Sequence, residues 1–180
     1  MSQAPTQEDK NRYLQALYDE YQALSNGDKA SIRRCLEPDD LLITPAFLRL
    51  IGETLRQFKD ADRANAAEFL NHLSQIARIV YFLPFAKLKG QSLGEVFNQQ
   101  KISERRLFLV VRSEYPQDLI QLRRLCQQCK DADIDGLKLA NLLLYWGKDK
   151  ATSESRKRQL MRDFYLFNKQ PAEETSDADY

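Results

Sequence analysis

Residues 104–113 read ERRLFLVVRS, and the fold class turns on how residues 107–111, LFLVV, are taken. This is the one run in the chain with the short, β-rich make-up of a strand. No other run offers it a partner, and a lone strand has no ladder to join. It is therefore read as a fully buried helix with Ser103 at its cap. On that reading the chain is all-α, a helical bundle of two packed halves.

Helical spacing continues on both sides. Ser92 and Glu95 form a capping box that opens a short helix. Beyond LFLVV, Pro116 opens LIQLRRLCQQC and Asp135 caps LKLANLLLYW; Gly147 closes that helix, and Thr152 or Ser153 begins ESRKRQLMRDFYLF. Nearer the N-terminus, Tyr13, Leu14, Leu17, Tyr18, Tyr21 and Leu24 recur at helical spacing until Ser25-Asn26-Gly27. A short helix over 30–36 ends at Glu37-Pro38. Thr44-Pro45 then starts another, with Phe47, Leu48, Ile51 and Leu55 on its apolar face. Residues 62–83 form the longest periodic stretch, with Phe69, Leu70, Leu73, Ile76, Ala77, Val80 and Leu83 inward and Pro84 at its end. The segment 85–90 is the candidate boundary between a half at 8–86 and a half at 87–169. Residues 170–180, acidic and rich in small polar groups, read as a disordered tail.

Composition supports a globular domain: 43% hydrophobic and 29% charged residues, with only six Pro and six Gly. No apolar run approaches the ~18–20 residues that span a bilayer, so no membrane partner is expected. The opening MSQAPTQEDK lacks the basic and apolar regions of a secretory signal, which points to the cytoplasm. Three cysteines make no disulfide framework. Cys126 and Cys129 form a lone C-x-x-C, and the single histidine, His72, is far away in sequence; these cysteines read as small apolar packing groups.

The residues for catalysis are missing from the pattern. His72 falls inside the longest amphipathic stretch and reads as structural. No nucleophile elbow, zinc-binding H-E-x-x-H or phosphate-cradling glycine loop occurs. Glu37, Asp39 and Asp40 suit a turn and a helix start better than a Mg²⁺ site. The expectation is a non-enzyme with no catalytic residue, no metal and no cofactor.

Arginine pairs stand out instead. Residues 11–86 hold 9 basic and 10 acidic groups, whereas residues 87–169 hold 17 basic and 10 acidic groups, a net charge of +7. That asymmetry is the footprint of a polyanion binder. The candidate nucleic-acid-binding residues are Arg33, Arg34, Arg105, Arg106, Arg112, Arg123, Arg124 and Lys148. Arginine suits phosphate because its planar fork donates two parallel hydrogen bonds. Adjacent helical residues point about a hundred degrees apart, so each pair is expected to split between nucleic acid and a structural partner. Arg106, Arg112, Arg124 and Lys148 are expected on the groove, and Arg33 is expected to pack. A competing reading is a helical adaptor whose arginines dock acidic protein surfaces.

Three stretches in order, NGDKASIRRCLEPDDLLITPAFLRL, SLGEVFNQQKISERRLFLVVRSEYPQDLIQLRRLC and LANLLLYWGKDK, followed by LMRDFYLF, resemble the CasB small subunit of the type I-E CRISPR Cascade complex. The resemblance runs over most of residues 13–167 and thins between Gly52 and Gly90. It implies a two-part helical protein that forms a homodimer inside the assembly, beside the backbone and large subunits. It further implies contact with guide RNA and with target and displaced DNA, stabilising the R-loop. Where family members can carry a basic residue, this chain has Tyr115, which stacks on a base or packs. The basic segment after Lys148 is longer than the resemblance implies.

Overall fold

Capping side chains set about half of the helix starts in the computed structural model, which describes residues 4–166. Thr6 and Asp9 exchange hydrogen bonds at the head of α1 (Gln7–Ala23). Ser25 accepts from the Asp28 amide and starts α2 (Asn26–Arg34). The turn read as a stop is therefore also the next helix start. Asp40 Oδ2 accepts from the Leu36 and Glu37 amides, capping a 3-10 turn over Pro38–Ile43, and α3 (Pro45–Arg56) follows. Ser92 and Glu95 form the expected capping box of α6 (Leu93–Gln99), and Asp135 caps α9 (Gly136–Leu144). Ser103 sits at the head of α7 (Glu104–Arg112), but its side chain makes no capping bond. The last helix, α10 (Lys150–Leu166), begins earlier than expected because Asp149 accepts from the Thr152 amide at 2.8 Å.

Four readings change in the structure. The 62–83 stretch is two helices, α4 (Asp60–Leu70) and α5 (Leu73–Phe82), so His72 lies exposed at the break between them. On α3, Leu48 is 49% exposed and Leu50 is buried. LFLVV is helical as expected but not fully buried: Leu107 and Val110 face inward while Leu109 is 53% exposed. A two-strand parallel pair, β1 (Ala86–Lys87) with β2 (Ile134–Asp135), also occurs where only helix and loop were expected. The period of LFLVV was hidden because five apolar residues in a row present no polar face to count.

Trp146, Tyr13, Tyr81, Phe47, Phe82 and Phe97 are the largest fully buried side chains of one continuous core. Residues 8–86 and 87–166 meet through α1 and α5, which both pack on α9. Elsewhere α8 (Gln117–Gln128) lies along α7, and α6 lies along α10. The α6–α10 approach is close: a Cβ on Gly94 would sit 2.6 Å from the Leu160 carbonyl oxygen. No helix among the described residues is long and apolar enough to cross a membrane. Residues 170–180 lie outside the described part of the chain.

Candidate nucleic-acid interface

Arg123 and Arg124 are adjacent on α8 and differ in surroundings. Arg123 is 5% exposed, and its guanidinium donates to the carbonyls of Cys35 at 2.6 Å and Arg33 at 3.0 Å. Those carbonyls close α2, where the last turn has no intrahelical donors left and the helix dipole is negative. The same cation stacks 4.0 Å from the Tyr81 ring centroid. Arg123 is thus a rivet between α8 and α2, away from the surface. Arg124 projects outward.

This rivet places the end of α2 against the middle of α8. Arg33 and Arg34 are both exposed there; the backbone carbonyl of Arg33 accepts from Arg123, and the Arg33 guanidinium lies beside the buried Tyr21 hydroxyl. From α7, Arg106 Nη1 donates to Gln128 Oε1 at 2.6 Å. Gln128 stands one turn from Arg124 on the same side of α8, so Arg106 and Arg124 share one face. Arg105 and Arg112 are seven residues apart on one side of α7. Arg112 lies 5.5 Å from the Phe108 ring centroid. Lys148 is exposed beyond α9.

None of the seven exposed candidates forms an ion pair among the described residues. Helix stability accounts for only some of them. Arg33, Arg34 and Arg112 sit in last turns, where cations are favoured by about 0.3–1 kcal/mol. Arg105 and Arg106 sit in the first turn of α7, where the same dipole disfavours them. They share that turn with one acid, Glu104, and neither forms an ion pair among the described residues.

A buried polar cluster positions this surface. Asp118, at the start of α8, accepts from Trp146 Nε1 at 2.9 Å and pairs with Lys157 Nζ at 3.3 Å. Lys157 also donates to the Ser113 carbonyl at 2.6 Å, next to Arg112. Lys157 therefore belongs to the interior, although it lies in the basic run after Lys148. Tyr115 is half-buried and donates to Asp39 Oδ1 at 2.8 Å, with Arg78 5.3 Å from its ring centroid. It packs, and burial together with Asp39 pushes its hydroxyl pKa well up. Arg78 and Lys157 were not among the sequence candidates. Arg78 had a signal, being the only Lys, Arg, Asp or Glu in residues 69–86; Lys157 had none. Cys126 and Cys129 are buried, and desolvation raises both thiol pKa values.

The fold and these side chains define a class: an all-helical protein with exposed cations that form no ion pair among the described residues, on helices held together from within. No protein-family model matches the chain. It is 33% identical over 164 residues to the CRISPR system Cascade subunit CasB of Escherichia coli K12, covering 84% of this chain and 91% of that one. It also superposes with a TM-score of 0.68 on a chain of E. coli Cascade bound to a PAM-containing dsDNA target. That match has 30% identity and covers 86% of this chain and 97% of the other. The chain belongs to the CasB family of Cascade small subunits.

Proposed function

We propose that the chain is a non-catalytic small subunit of a type I-E Cascade-like effector complex that holds nucleic-acid backbone and stabilises the R-loop. The contacts fall on Arg33, Arg34, Arg105, Arg106, Arg112, Arg124 and Lys148. Arg123 is left out, because its guanidinium is committed to α2. The observation that carries the reading is the pair Arg105 and Arg106, exposed and without ion-pair partners where the α7 dipole disfavours cations. The relative seen in a DNA-bound Cascade supports the same partner class. In this reading the subunit works as a homodimer beside the backbone and large subunits, touching guide RNA and the target and displaced strands. Base pairing selects the sequence, so backbone contacts suffice.

Salt dependence of DNA binding by the assembled complex tests this. Each single-strand phosphate contact contributes a slope of about −0.7 to log K against log salt. Arg112→Ala and Arg124→Ala should each flatten the slope by about 0.7, with helicity unchanged. A slope that neither substitution moves would favour an adaptor whose arginines meet acidic protein surfaces.

A further inference from the structure

Helix α10 brings its C-terminal end to the head of α7. The two helices pack together, and the Tyr165 hydroxyl lies beside the Glu104 carboxylate. Glu104 is the one acid in the first turn of α7, and it forms no ion pair among the described residues. Leu166, where the described part of α10 ends, is 70% exposed. From this point the outward face of α7 is close at hand. It carries Arg105, Leu109 and Arg112 at helical spacing, with Arg106 beside them, and all four are exposed. The three arginines form no ion pair among the described residues.

The sequence that follows has the opposite charge. Beyond Leu166 it runs FNKQPAEETSDADY, with four acids, Glu173, Glu174, Asp177 and Asp179, against a single base, Lys169. Reach is sufficient as well. Glu173 is seven residues beyond Leu166, a span of up to about 25 Å in extended chain. From Glu104 to Arg112, α7 rises only about 12 Å. The acids can therefore reach every arginine of this face from where α10 ends. Because they belong to the same chain, they meet those arginines at an effective concentration on the order of millimolar.

We propose that residues 173–179 dock on the outward face of α7, with their carboxylates on Arg105, Arg106 and Arg112, and that nucleic acid must displace them to bind there. The competitor is taken from the function inferred above, and in that respect the inference rests on it; the contact itself needs no nucleic acid. The segment acts as a tethered counter-ion. Exposed ion pairs are individually weak, so a long phosphate chain replaces them, whereas a short polyanion competes poorly with an acid held on the same chain.

The test places a nitroxide spin label on the full chain through Ala178→Cys; Cys35, Cys126 and Cys129 are buried, so the label goes to the new thiol. Amide NMR at low salt should show broadening at Arg105, Arg106, Leu109 and Arg112. High salt, or saturating oligothymidylate, should remove it. Neutralising the segment with Glu173→Gln, Glu174→Gln, Asp177→Asn and Asp179→Asn should remove it too. The same neutral chain should bind oligothymidylate about three- to tenfold more tightly at low salt. No broadening of α7 overturns the proposal and leaves the arginine surface standing. Broadening that survives neutralisation marks mere proximity and overturns it as well, as does an affinity that neutralisation leaves unchanged. Broadening that saturating oligothymidylate does not relieve overturns the competition and, with it, α7 as the nucleic-acid face.

Discussion

At Arg123 the guanidinium donates to two α2 carbonyls and lies on Tyr81, whereas at Arg124 the same chemical group meets solvent. The difference is one of direction, since neighbours on a helix point about a hundred degrees apart. It predicts opposite phenotypes. Arg123→Ala removes the donor from one buried and one part-buried carbonyl and the cation from the Tyr81 ring, and should destabilise the fold by about 2–4 kcal/mol in urea unfolding. Arg124→Ala should change stability by less than about 0.5 kcal/mol and act on salt-dependent binding instead. Equal effects on stability would show that the two side chains are not divided in this way. The split expected of every arginine pair occurs only here, since Arg33 with Arg34 and Arg105 with Arg106 are exposed at both positions; which member of the α8 pair turns inward was not legible, because that depends on where α2 ends.

The helices themselves were largely readable, because their starts are local. Thr44-Pro45, Ser92 with Glu95, and Asp135 announce α3, α6 and α9 within a few residues. The break at 71–72 was not announced, since the apolar spacing of α4 runs on into α5 and no glycine or proline interrupts it. Close contacts between elements are equally silent in the sequence. Gly94 belongs to a capping segment, yet its lack of a side chain is what lets α6 meet α10. Gly94→Ala should cost about 1–3 kcal/mol through overpacking, even though alanine is the better helix former. Thermal melting that leaves this variant as stable as the parent would mean that the two helices can move apart freely.

Across the described residues, 8–86 and 87–166 share one core, and Trp146 lies within it, with Arg78 from one half on its carbonyl and Asp118 from the other on its indole nitrogen. Unfolding followed by far-ultraviolet circular dichroism and by Trp146 fluorescence should therefore give coincident transitions. Two separated transitions would show the halves melting independently. The sequence by itself determined the helical class, the starts of α3, α6, α7, α8 and α9, and the set of arginines from which the proposed surface is drawn, because propensity, capping and charge act within a few residues. Only the tertiary structure decided that Arg123 and Lys157 are interior, that Arg106 and Arg124 share a face, and that Arg78 meets Gly147 beside Lys148. Those facts depend on contacts between residues far apart in the chain, whose relative placement no local spacing encodes.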